Sequence, residues 1–522
     1  MTEPWAPHRR TTMFKWKSGA VLVAAALALA GCSGTGSGTA SESGAAGGTL
    51  TWGAILPLSS FSAQNASWAN ESPYLQPVYD TLFQADPDGT PQPNIATQWE
   101  YNADRTVLDV TVRDDIKFTD GTSLDADAVT QNLLRFKEGT SPNANNLRNV
   151  EDVATIDTTH LEITLGAPDP ALLTYLTQNA GLVESPAAFD SPNIETVPVG
   201  SGPYIFNADE TVVGSSYVYD ANPDYWNPDA QHYAKFIVNV YSDPTSLLNA
   251  IQGGQVNATT VLDNSSLPQM EAAGFTANSA ETTWAGLLLS DVNGTLTPAM
   301  ADVRVRQAIN YAFDRDALLK AVLGEYGTAT TQIFGPPSSS FDESLDDVYP
   351  YDPAKAKKLL AEAGYANGFT LTMPTAPVIP DSAFTLIASQ LEAVGITVEY
   401  QAEADANAYI SDLLQQKFSA AYFLLPSSLD NWQMSQAQIA AASNWNVFHI
   451  DDPKVEELIS TIQNGDESAG ESAGKELNAY IVDQAWFAPF YRQQTNFMTD
   501  ANTKATVQVG NAVPYIWNVV PS

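Results

Sequence analysis

The chain has 522 residues, 44% hydrophobic and 16% charged, and its 60 Asp and Glu against 23 Lys and Arg give a formal net charge of −37. This apolar fraction excludes a disordered chain, and the length allows two or three domains around a large core. The sign of the charge excludes a nucleic-acid reader and is equally unsuited to an anionic membrane surface.

The first 31 residues are a different kind of sequence. His8, Arg9, Arg10, Lys15 and Lys17 precede an apolar run of eleven residues, Ala20 to Ala30. That run is too short to span a bilayer and matches the core of a secretory signal. "LAGC", Leu29 to Cys32, follows it and resembles the bacterial lipobox, in which cleavage before the cysteine accompanies transfer of a diacylglycerol to its thiol. Cys32 is the only cysteine, so neither a disulfide framework nor a cysteine metal site is available. Met13 is an alternative start, and Arg9-Arg10 ahead of Met13-Phe14-Lys15 leaves twin-arginine export open beside the general route. The leader holds four bases and one acid, so its removal leaves 19 bases against 59 acids, a net charge of −40. "SGTGSGTASESGAAGG", Ser33 to Gly48, then reads as a flexible tether, and the folded body is expected from near Thr49.

In chain order, alternating apolar residues predict strands at Thr49 to Leu56, Val107 to Arg113, Leu161 to Gly166 and Phe236 to Tyr241, with turn-rich segments such as "DPDGTPQP" between them. The character changes after Trp284. "ADVRVRQAINYAFDRDALLKAVL" predicts two helices broken near Asp314. "YDPAKAKKLLAEAG" is a helix with Asp352 at its N-cap, Pro353 in its first turn and Gly364 after its end, and Asp452-Pro453 repeats that start signal. "FTLTMPT", a helix from Asp381 to Val394, "ITVEYQAE", a further helix and "AAYFLLP" alternate as strand and helix, predicting a doubly wound α/β lobe. There is no solenoid repeat; "ESAGESAG" is a local duplication.

The acid-rich stretch "VRDDIKFTDGTSLDADAV", Val112 to Val129, fails as a calcium loop. Aligning Asp120-Gly121 on the invariant glycine puts Ile116 and Phe118 where oxygen ligands belong. Its acids read instead as turn formers, with Asp125 capping the helix through "ADAVTQNLLRF". "GESAG", Gly470 to Gly474, matches the nucleophile-elbow pattern around Ser472, but polar "QNGDESA" precedes it where an apolar strand is required. Only His160, His232 and His449 remain beyond the leader, which argues against zinc, and no P-loop or dinucleotide fingerprint occurs. No cofactor is expected. Trp residues beside Asn, Ser or Pro are the better candidates for an aromatic-walled cleft, Trp432 in "LDNWQ" and Trp445 in "SNWNVFH", and Trp284 joins them because it sits where the organisation of the chain changes.

The order of segments resembles the family 5 extracellular solute-binding proteins of ABC transporters, the peptide and nickel group. The resemblance covers Thr49 to about Val520 and rests on six blocks in order: the stretch from "YDTLFQADPDG" through "IKFTDGTSLDADAV", then "VGSGPYIF", "ANPDYW", "LLNAIQGGQVN", "DVRVRQAINYAFDRDALL" and "YDPAKAKKLLAEAG". It implies an α/β fold of the large two-lobe periplasmic-binding-protein type with a subdomain inserted in lobe I. The expected boundaries are a signal peptide over 1–31, a tether over 32–48, lobe I over 49–283 and 496–522 with the subdomain at about 81–198, and lobe II over 284–495.

In peptide-binding members, an Asp of lobe II pairs with the peptide's α-ammonium; here Ser427 or Ser428 stands in its frame, with Asp430 nearby. Asn446, seven residues before Pro453, matches the family's "N…P" spacing, Trp284 falls among cleft aromatics, and Ser59, Ser60 and Tyr491 are site candidates by position. The resemblance implies a non-catalytic, monomeric receptor, lipid-anchored at Cys32 to the outer face of the membrane. It would capture an oligopeptide-like solute and deliver it to an ABC permease. A non-peptide solute (oligosaccharide, opine or metal chelate) is the alternative, direct nickel binding being disfavoured by so few His. A surface hydrolase using Ser472 is the rival from another class, and a receptor that only signals or scaffolds is a third possibility.

Overall fold

The computed structural model describes residues 47–261, 264–377, 379–427, 430–511 and 513–522. The leader, Cys32 and most of the tether lie outside the described residues. From Ala46 onward the chain is one compact unit, and no helix among the described residues is long and apolar enough to cross a membrane.

The expected strands form at Thr49–Ala54, Val107–Val112, His160–Leu165 and Lys235–Val240. The capped helices form at Val303–Tyr311, Arg315–Val322, Pro353–Glu362 and Pro453–Asn464. Asp352 and Asp452 act as the caps expected of them, accepting from Lys355 at 2.8 Å and Lys454 at 2.9 Å, and Asp314, read as the break between two helices, caps the second by accepting from the Ala317 N–H at 3.0 Å. These assignments were readable because a cap is a local device, satisfied within three residues of the helix start.

The main sheet has nine strands. Eight run in the spatial order Ala421–Pro426, Thr276–Leu288, Phe487–Thr499, Ala258–Val261, Thr49–Ala54, Lys235–Val240, Ser216–Ala221, Tyr204–Phe206, and the short Gly327–Ala329 pairs beside Phe487–Thr499. The two thirteen-residue strands, Thr276–Leu288 and Phe487–Thr499, are antiparallel and belong to both halves of the molecule. Phe497 lies in a core with Leu50, Trp52, Tyr79 and Phe236, whereas Phe490 and Tyr491 lie in another with Leu287, Ile309 and Leu371. Between them the register slips: Glu281 faces Gln494 but Thr283 faces Gln493, leaving Thr282 as an extra, bulged residue. The expected break at Trp284 is thus a change of core within one continuous strand.

The second half differs from the doubly wound expectation. Phe369–Thr375 and Ile396–Ala402 make a separate two-stranded parallel pair, and Ala421–Pro426 leaves them to become the antiparallel edge of the main sheet against Thr276–Leu288. Strand–helix alternation fixes that the strands exist, but not which sheet each one joins. A four-stranded antiparallel sheet, ordered Ala96–Tyr101, Val107–Val112, His160–Leu165, Val150–Thr155, packs on the helix Ala126–Glu138 around its own core of Leu108, Val129 and Ile163.

The sequence blocks that carry the resemblance converge on one buried carboxylate. Asp80 of "YDTLF" accepts from Ser201 of "VGSGPYIF" at 2.8 Å, and from Tyr225 and Trp226 of "ANPDYW" at 2.9 and 3.1 Å. Burial pushes its carboxyl up to about 6, against the pull of these donors. A Cβ on Gly200 would lie 2.0 Å from the Val78 carbonyl oxygen, which requires glycine there. In "DVRVRQAINYAFDRDALL", Arg315 is buried and donates to the carbonyls of Thr330, Pro489, Asn310 and Tyr349, pinning the loops around the Phe487–Thr499 strand.

Candidate functional site

The edge strand Ala421–Pro426 has a strand neighbour on one side only. Alternation places Tyr422, Leu424 and Pro426 on one face, and two cavities lie along that face. The first, about 680 Å³, is lined by Tyr422, Leu424, Tyr491 and Gln493 and by Asn264 and Pro268 from the opposite half. The second, about 600 Å³, sets Pro426, Gln433 and Gln436 against Trp68, Arg148 and Tyr175. Both have the size of small-molecule sites. A third cavity of about 380 Å³ adjoins the second, sharing Arg148 and Gln436 and adding Trp432.

The halves touch beside the second cavity through side chains. The Trp432 indole N–H donates to Asp169 at 3.1 Å, Arg148 to Gln436 at 3.0 Å, Gln463 to the Pro168 carbonyl at 3.0 Å, and Arg105 to the Gly465 carbonyl at 2.8 Å. Asp169 also accepts from Asn149 and the Ala171 N–H. Beside the two long strands, Arg492 donates at 2.7 Å to Glu281 and through two nitrogens to Asp346 at 2.7 and 3.0 Å, its own side chain only 4% exposed.

The candidate residues fall into three groups. Tyr491 lines the first cavity, its hydroxyl 2.8 Å from that of Tyr422, and Trp432 lines the third. Asp430 caps the helix Asn431–Met434 by accepting from Gln433, and burial, reinforced by nearby Asp169, pushes its carboxyl up to about 6. Burial pushes the Tyr175 hydroxyl up, and the carboxylates of Asp169 and Asp430 add to that shift. The remaining five residues line none of the three cavities. Trp284 is fully buried with its N–H on Gln438 at 2.9 Å. Trp445 packs its ring 4.4 Å from Phe423, on the strand's other face. Asn446 is buried and staples its loop through the Ile439 and Ile450 carbonyls. Ser59 bonds Glu71 at the surface, and Ser60, itself buried, bonds Glu195. Ser427 is buried, its N–H on the carbonyl of bulged Thr282; Ser428 lies outside the described residues. Trp68, Arg148, Tyr175, Gln433 and Gln436 were not singled out from sequence; the asparagine-rich "SPNANNLR" was the available signal for that wall.

Ser472 lies inside the helix Glu467–Asp483 with its hydroxyl donating to the Ser468 carbonyl at 2.8 Å, so "GESAG" makes no strand-to-helix elbow. Asp125 accepts from the Ala128 N–H at 3.0 Å, and Asp120 closes its turn onto Thr122. Among the described residues, no group of three or more His, Cys, Asp or Glu is placed to hold a metal ion.

Two lobes sharing a pair of crossing strands, with cavities between them, define a receptor-like architecture for a small solute. Residues 90–445 match the family described as bacterial extracellular solute-binding proteins, family 5 (Middle), and the chain belongs to that family. The glutathione-binding protein GsiB of Escherichia coli K12 is 30% identical over 311 residues, 56% of this chain and 57% of that protein, so the match spans little more than half of the relative. The fold also matches HbpA2 from Haemophilus parasuis (TM-score 0.81, 21% identity, covering 91% of this chain and 100% of that one). It matches as well DppA from Helicobacter pylori in complex with the peptide STSA (TM-score 0.72, 19% identity, 91% and 98%).

Proposed function

We propose that this chain is the extracytoplasmic receptor of an ABC importer, capturing an oligopeptide-like solute between its lobes and delivering it to the permease, without catalysis. One observation carries the reading: an edge strand whose single face, Tyr422, Leu424 and Pro426, runs past two cavities between the halves of the molecule. An extended backbone laid along such a strand gains main-chain bonds while its alternate side chains enter the cavities. The names of GsiB and of the peptide-bound DppA support the same class of solute. Lobe I is assigned 49–283 and 496–522, with its subdomain at about 81–198, and lobe II 284–495; the bulge at Thr282, opposite Gln493 and Gln494, supports a hinge at these limits. The solute is held by Tyr491, Trp68, Tyr175 and Gln433, with Asp430 and Trp432 behind them, and the monomer is tethered to the membrane through lipidated Cys32.

The test is a thermal-shift panel of peptides, oligosaccharides and metal chelates on the purified protein, backed by native mass spectrometry of copurified solute. A ligand at a hundred times its Kd adds about 2.7 kcal/mol of stability. Stabilisation by peptides is the expected result; a flat panel with no copurified solute overturns the receptor reading. Cys32→Ser should move the protein from the membrane fraction to the medium, and retention on the membrane would remove the lipid anchor.

A further inference from the structure

Acids make up 60 of the 522 residues, yet no carboxylate is among the described residues lining the 600 Å³ cavity. Its one charged side chain is Arg148, and amides dominate the rest: Asn143, Asn145, Gln178, Gln433, Gln436 and Asn511. The nearest acids are committed elsewhere. Asp169 accepts from Trp432, Asn149 and Ala171, Asp430 caps a helix start, and Glu456 faces the adjoining cavity with an oxygen on the Ala441 N–H. Two amide oxygens of the wall are already engaged, that of Asn511 by the Val513 N–H and that of Gln436 by Arg148, so these side chains have N–H groups left to offer. A guanidinium carries five N–H donors, and that of Arg148 donates to Gln436. Asn511 has its Nδ2 buried without a partner. An ammonium brought into such a site would lose its water and find a cation in place of a counter-charge.

We infer that the solute enters this end of the cleft without a cationic nitrogen and presents a carboxylate or carbonyl oxygen to Arg148 and Asn511: an N-acylated or cyclic peptide with a free carboxylate, not a peptide with a free amino end. The inference rests on the receptor reading above and narrows it. Amide walls satisfy the CO–NH groups of a blocked backbone, and Arg148 takes the anionic end in a charge-assisted bond.

The experiment titrates the full chain, purified in detergent, with one mixture of tetrapeptides of uncharged side chains prepared in three forms: free amine, N-acetylated, and N-acetylated with an amidated carboxyl end. Maltotetraose is the fourth probe, and binding is read by native mass spectrometry and calorimetry. The N-acetylated acids should bind at least about tenfold more tightly than the free amines, and amidation should lose about tenfold, the scale of a hydrogen bond to a charged group. Arg148→Gln should remove the discrimination between acid and amide while leaving the melting temperature unchanged, since Arg148 is exposed. Preference for the free amines overturns the inference and leaves the receptor standing, as does binding of maltotetraose alone. Failure of all four probes to bind counts against both.

Discussion

Where the two long strands pass from one core to the other, the halves are joined by backbone, and Arg492 ties Glu281 on the first strand to Asp346 beyond it. Across the rim they meet through side chains, Trp432 to Asp169 and Arg148 to Gln436, with Ala171 packed into the same apolar cluster as Trp432. The difference is one of exchangeability. A ladder hydrogen bond broken inside a sheet leaves unpaired backbone groups, whereas a rim side chain that parts from its partner is met by water. On the proposed lobe boundaries, opening would part the rim contacts and leave the crossing strands intact.

The largest effect that would test this contrast is at the hinge. Arg492→Ala strands two half-buried carboxylates and should cost about 3–5 kcal/mol in urea denaturation; a loss below about 1 kcal/mol would show that the ladder alone holds the junction. At the rim, Trp432→Phe removes one donor from a carboxylate, about 1.5–3 kcal/mol of closure. Small-angle scattering should show a larger radius of gyration for the ligand-free variant, and an unchanged radius would place the closing force elsewhere.

Asp430 offers a smaller, pH-dependent effect. Its folded carboxyl is raised to about 6 by burial, above the unfolded 3.8, so the folded state binds the extra proton and stability falls as pH rises from about 4 to about 6. Asp430→Asn retains a capping side chain and should flatten that part of the stability curve in chemical denaturation; an unaltered slope would assign it to other acids, Asp80 among them. The smallest effect is Ser472→Ala, which should change stability by no more than about 0.5 kcal/mol and leave solute binding intact. Loss of binding or of any hydrolytic activity in this variant would reopen the enzyme reading.

The parts of the fold that were legible in the sequence were those determined locally. Asp352, Asp452 and Asp314 announce helices because each cap acts on N–H groups two or three residues away. The strand Thr276–Leu288 was harder to read: its first half is polar and partly exposed, its second fully buried, so no single period describes it. Trp284 drew attention at that change of environment, and the structure gives it a core position with its N–H satisfied. The cleft was barely legible at all, because Trp68, Arg148, Tyr175 and Gln433 come from loops and very short helices far apart in the chain. Only the pairing of distant strands brings them to one wall.

The position of Phe487–Thr499 has a consequence for how the molecule is made. This strand lies inside the sheet, between Ala258–Val261 and Thr276–Leu288, and it follows both by about 200 residues in the chain. Until it arrives, a slot stands open in the middle of the sheet, with two strand edges facing each other across an absent neighbour. A chain growing from its amino end can complete the four-stranded subdomain early, but neither half can close its main sheet before the other. The crossing strands therefore make the two lobes finish folding together.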